Sequence, residues 1–277
     1  VGLWIGTLLA LFLLITPGTI VARITQLTWP VAIAVGPALT YGVVAVAIIP
    51  FGALGIPWNG WTALAALVVV CLVMTGLQLL LARYRDTEAE ARAVRGWPAL
   101  TVAAGVLLGA LLVMWAAHRG LAAHWQTIPS TWDAVWHANE VRYMLDTGQA
   151  SSTHMGELRN VETHQALYYP SVFHALTAVF CQLTGAAPTT GYTLNSVAAS
   201  VWLFPTSAAM LAWHLLRPRT GCHQTSNSHH ANRNRITMNP PVRCTDRTPT
   251  SASTAVGMRS RCRSVEVIRT NVGIATP

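Results

Sequence analysis

Lysine is absent from the 277 residues, and charged side chains make up only 10% of the chain. A soluble globular domain carries about a quarter charged residues, so this composition excludes that class and leaves an integral membrane protein or a piece of one. Paired cysteines are lacking too. Cys71, Cys181, Cys222, Cys244 and Cys262 show no CxxC or similar spacing, which argues against a disulfide framework and a thiolate zinc site. What is abundant is apolar: 52% hydrophobic residues and 11 Trp, with a mean hydropathy of +0.42. The formal net charge of +8 is unevenly placed, because 10 of the 18 Arg lie at positions 217–277. The charge therefore describes a tail and not a nucleic-acid-binding face.

A helix crossing about 30 Å of hydrocarbon at 1.5 Å per residue needs roughly 20 apolar residues. Residues 3–22, 28–50, 61–82 and 97–117 meet that requirement, and two shorter or more polar candidates follow at 170–184 and 192–216. Six spans are expected, the fifth being the weakest, in an all-α polytopic membrane protein. A bend is expected at Pro17-Gly18 in the first. No positive region precedes that run and no A-x-A site follows it, so it reads as a retained helix and not as a signal peptide. The first residue is Val, consistent with a processed, incomplete or GUG-encoded start.

Arg23, Arg83, Arg85, Arg92 and Arg95 fall in short loops that share one side if every early span crosses. The positive-inside rule makes that side cytoplasmic and puts residues 118–170 outside. Trp58, Trp61, Trp97, Trp115, Trp125 and Trp213 lie near expected span ends and read as an interfacial belt. The organisation that follows is a four-span region (1–117), an extracytoplasmic loop (118–170), two further spans (171–216) and a tail (217–277). The tail has no Leu, Phe, Trp or Tyr and reads as disordered. Two origins stay open for it: an authentic basic tail, or out-of-frame translation, which the abrupt change in residue usage favours. Cys222, His223, His229 and His230 fit no zinc-finger spacing.

Asp133, His137, Glu140, Arg142, Asp146, His154, Glu157, Arg159, Glu162, His164 and His174 concentrate ionisable chemistry in residues 118–174. Such a cluster is either a polar site at one membrane face or a solvated loop. Ser130-Thr131-Trp132-Asp133 has the form of a capping box, and Thr147-Gly148 supplies a stop, so a helix is expected over 131–147, lying along the membrane interface. Asp133, His137 and Glu140 stand at i, i+4 and i+7 on one stripe. Asp133 has two readings, a cap worth about 1 kcal/mol or a base or metal ligand with His137 sharing the proton or ion. His154-Met155-Gly156-Glu157 is not HExxH and gives little support to a zinc protease. His164, Tyr168, Tyr169 and His174 form a second group around Pro170, and His174, polar inside an apolar run, is expected to face a cavity.

At these residues a resemblance enters. Thr16-Pro17-Gly18 with Arg23, Gly36-Pro37-Ala38-Leu39-Thr40, Leu54-Gly55-Ile56-Pro57-Trp58, Trp132-Asp133 with Trp136-His137, Thr147-Gly148, and Tyr169-Pro170 with His174 occur in that order. Together they make residues 1 to about 214 resemble the actinobacterial multi-pass membrane proteins of the DUF6541 family, which look like relatives of the GT-C superfamily of glycosyltransferases. The resemblance implies transfer of a sugar from a polyprenyl-phosphate donor at the outer face, in cell-envelope glycan assembly. Asp133 would act as base, Arg142 or Arg159 would stabilise the leaving phosphate, and His137, His164, Tyr169 and His174 would orient sugar or phosphate. It leaves a divalent cation open. Because GT-C-like proteins have more spans than are counted here, it also implies that the chain is a truncated remnant.

The expected partners are membrane lipid and the lipid-linked sugar donor, with no nucleic acid. A different class competes, a non-enzymatic scaffold or transport partner. A transporter proper is disfavoured because no charged residue interrupts the first four spans.

Overall fold

A computed structural model describes residues 2–82, 97–121, 124–128, 130–158 and 168–216, all within one compact unit, Val1–Thr220. The sequence expectations for the tail at 217–277, for the loop at 83–96 and for Arg159 and His164 lie outside the described residues.

Helix is the only regular secondary structure among the described residues, with no strand: α1 (Leu3–Ile24), α2 (Trp29–Ala53), α3 (Gly60–Leu81), α4 (Trp97–Leu121), α5 (Trp132–Thr147), a short 3-10 turn (Met155–Leu158), α6 (Val172–Thr184) and α7 (Pro188–Leu216). Five of them carry segments long and apolar enough to cross a membrane: Leu3–Ile24, Trp29–Ala53, Gly60–Leu81, Leu100–Leu121 and Pro188–Ala212. This is a multi-pass membrane protein with five candidate spans. The fifth of the six spans expected from sequence is instead α6, whose 13 residues reach only about 20 Å, short of the ~30 Å hydrocarbon core. Gly185, in the left-handed region at φ 67°, ends it before it can lengthen.

α1 and α2 pack most intimately. A Cβ on Gly18 would collide with the Gly36 carbonyl and the Thr40 amide, and one on Gly36 would strike Ile15 and Thr19, so small residues set the distance between the two backbones. Thr40 Oγ1 accepts a hydrogen bond from the Gly18 amide at 2.9 Å. α1 remains helical through Pro17. α3 and α4 are different: only 6% of each hydrophobic window is buried, and Leu64, Val68, Leu72, Leu107, Leu108 and Leu111 face outward. In water such patches would be a liability, whereas in a bilayer they are the surface that lipid solvates.

α6 is enclosed by its neighbours, burying Ala175, Leu176, Thr177, Ala178, Val179, Phe180 and Cys181. Trp58 belongs to the same core. It is 2% exposed, its indole Nε1 donates to the Ala175 carbonyl at 2.9 Å, and it therefore leaves the interfacial belt in which its position near a span end had suggested it. Trp61 and Trp115, at 82% and 61% exposure, remain on the surface. The turn between α2 and α3 also meets the end of α5, where the Trp58 amide donates to the Gly148 carbonyl at 2.7 Å. The α2–α3 turn and the α5–α6 segment thus share one end of the bundle.

A buried imidazole–carboxylate cluster as candidate functional site

α5 forms where the sequence signals it, one residue later than the capping-box pattern suggested. Thr131, not Ser130, is the N-cap; its Oγ1 accepts from the Ala134 amide, and Gly148 at φ 71° closes the C-terminus. Asp133 is consequently the second residue of the helix and 81% exposed, with no role as the reciprocal partner of a cap. The buried side of α5 is Ala134, Ala138, Glu140, Val141 and Met144. Small residues there let α5 approach α6 and α7 closely.

That approach assembles the cluster. His137 on α5 and His174 on α6 meet ring to ring, His137 Nδ1 lying 2.8 Å from His174 Nε2. The other nitrogen of His174, Nδ1, is 2.8 Å from Glu140 Oε2, and the other nitrogen of His137, Nε2, is 3.4 Å from Asp133 Oδ2. The four residues form one chain, Asp133, His137, His174, Glu140, running from solvent to the interior. Asp133 is open, His137 is 20% exposed, and His174 and Glu140 are buried at 3% and 0%. His174 Nδ1 and both Glu140 oxygens make no aligned hydrogen bond despite the short ion-pair distance. A carboxylate in that condition is costly unless a cation or further donor completes it.

Aromatic rings surround the chain. Tyr192 from α7 stacks on His137 at 5.3 Å between centroids, Phe173 lies edge-on to His174, and Tyr169 meets Trp136 edge-on at 5.7 Å. Burial, and then the charge of Glu140, push the Tyr169 phenol above its ordinary pKa, so it stays a neutral hydroxyl at physiological pH. Ser152 and Ser171 tie the segment before α6 in place, through their hydroxyls at 2.9 Å and the Ser171 hydroxyl donating to Ala150 at 2.7 Å.

Of the residues singled out from sequence, Asp133, His137 and His174 come together with Tyr169 beside them. Arg142 is exposed and pairs with Asp146 one turn along α5 at 2.7 Å, instead of turning toward the cluster. Glu140 lies on the His137 stripe, and its place at i+3 from His137 is the sequence signal for its part in the site. Tyr192 carried no local signal at all; only the packing of α7 brings it in.

An all-helical, multi-pass bundle with an imidazole–carboxylate cluster at one end is the class of protein that fold and site define. The chain belongs to DUF6541, a family of unknown function, whose model matches residues 11–224. No curated protein and no solved structure is significantly similar to it.

Proposed function

We propose that the chain is a GT-C-like glycosyltransferase, or the remnant of one, acting on a polyprenyl-phosphate sugar at the extracytoplasmic face. The observation that carries this reading is the Asp133–His137–His174–Glu140 chain, exposed only at its Asp133 end. Asp133 is placed to take the proton of an acceptor hydroxyl as the bond from sugar C1 to phosphate breaks. His137 behind it steadies the carboxylate and shares the proton, while Glu140 and His174 hold His137 in position. The flat faces of Trp136, Tyr169 and Tyr192 offer the kind of platform on which a sugar ring rests. Arg142, which would have to leave Asp146, and Arg159 would supply guanidinium groups for the departing lipid phosphate.

The arginines support the outer face. With α6 too short to cross, α7 is the fifth crossing, and Arg217 and Arg219 after it fall on the same side as Arg23, Arg83, Arg85, Arg92 and Arg95. A sixth crossing would have put them on the opposite side, against the rule. The cluster then sits away from the arginines, at the extracytoplasmic end, where a lipid-linked sugar is presented in this chemistry.

The test compares lipid-linked sugar pools, by mass spectrometry, in a deletion strain complemented with the wild-type chain or with Asp133→Asn at equal abundance. Donor lipid should accumulate in the deletion and in Asp133→Asn, with product falling by about 100-fold or more, and wild type should restore it. Full restoration by Asp133→Asn would remove the transferase reading and leave the non-enzymatic scaffold in its place.

A further inference from the structure

The cluster has one proton too few. Two neutral imidazoles carry two N–H groups, one each, but His137 and His174 make three close contacts, to Asp133, to each other and to Glu140, and each contact needs one. Whichever tautomers are drawn, one contact lacks a donor: the two imidazole lone pairs face each other if both N–H groups serve the carboxylates, and otherwise a lone pair faces a carboxylate. Either a third proton or a metal cation resolves this.

We infer that His137, His174 and Glu140 form a binding site for a divalent first-row transition ion, zinc foremost. Their ligand atoms all lie within 4.8 Å of one another, and tetrahedral coordination at ~2.0–2.1 Å asks for separations of about 3.4 Å, so the 2.8 Å contacts open slightly and the longer separations close. Two imidazoles and a carboxylate favour zinc and its neighbours over magnesium or calcium, which take oxygen ligands. Three protein ligands leave a further position open, as in catalytic rather than structural zinc sites. Asp133 completes the pattern from outside. A histidine ligating through Nδ1 turns its Nε2–H to an outer carboxylate, and Asp133 stands at His137 Nε2. The Glu140 oxygens and His174 Nδ1, buried and close together without an aligned hydrogen bond, are groups an ion would satisfy. The site stands whether or not the chain transfers sugar, and its test reads metal, not product.

Full-length protein is purified in detergent, with the tail's Cys222, His223, His229, His230, Cys244 and Cys262 changed to serine so that they cannot compete for metal. It is stripped and reloaded with zinc or cobalt. About one ion per chain is expected, with an X-ray absorption edge reporting two imidazoles, oxygen and no sulfur. Glu140→Gln and His174→Ala should abolish stoichiometric loading, Asp133→Asn should weaken it about 10–100-fold, and His154→Ala should leave it intact. The absorption spectrum needs no change in the cluster, so misfolding of a cluster mutant does not blunt the test. Substoichiometric metal in the folded protein with the cluster intact, or a spectrum with fewer than two imidazoles, would overturn the site and assign the missing cation to a proton.

Discussion

α3 and α4 invert α5 and α6. On the first pair leucines and valines point outward and little is buried, while on the second Glu140 and His174 are among the most enclosed side chains of the described residues. In water the arrangement would be backwards. In a bilayer lipid tails solvate the leucines as well as a protein core does, so apolarity drives nothing inward and burial is left to groups that pack closely or need partners. The same logic explains why α1 and α2 meet through Gly18, Gly36 and Thr40, and why α6, though mostly apolar, does not cross: it is held by neighbours, not by lipid.

Substitutions sharpen this contrast, and unfolding by sodium dodecyl sulfate in mixed micelles measures them. Glu140→Ala, which strands His174 in the interior, should cost about 3–5 kcal/mol, whereas Leu72→Ala on the lipid face of α3 should change stability by less than about 0.5 kcal/mol. Equal effects at the two positions would erase the contrast. Gly18→Val should cost about 1–3 kcal/mol by forcing α1 from α2, and the same change at Gly76, where a Cβ meets nothing, should be tolerated. Trp58→Phe removes the bond to the Ala175 carbonyl and should cost about 1 kcal/mol. If Trp58 were in the lipid interface its loss would leave α6 untouched. Thr131→Ala should have the smallest cost of the cluster-end changes, about 0.5–1 kcal/mol, and Ser130→Ala none, which separates the observed cap from the one the S-x-x-D pattern suggests.

Most of the bundle was legible because length and apolarity are local. The first four spans and the last fall within a few residues of the runs at 3–22, 28–50, 61–82, 97–117 and 192–216. α5 was legible to within one residue from the Ser130–Asp133 pattern and from Gly148, because caps and stops depend only on adjacent backbone. The 170–184 run was misleading, since a stretch of apolar residues does not reveal that Gly185 stops it and that α2, α3, α5 and α7 enclose it. Trp58 likewise has an interfacial address in the sequence and a core position in space, because its partner Ala175 is 117 residues away. The stripe of Asp133, His137 and Glu140 could be read from helical spacing. The joining of His137 to His174 across 37 residues could not.

The side on which α7 ends tests the account most directly. In a cysteine-free background, single cysteines at His154 and at Arg219 are probed with a membrane-impermeant maleimide on intact cells and again after permeabilisation. With five crossings, His154→Cys should label from outside and Arg219→Cys only after permeabilisation. Labelling of both from outside would mean that α6 crosses after all, and would contradict the placement of the cluster beside a short, enclosed helix.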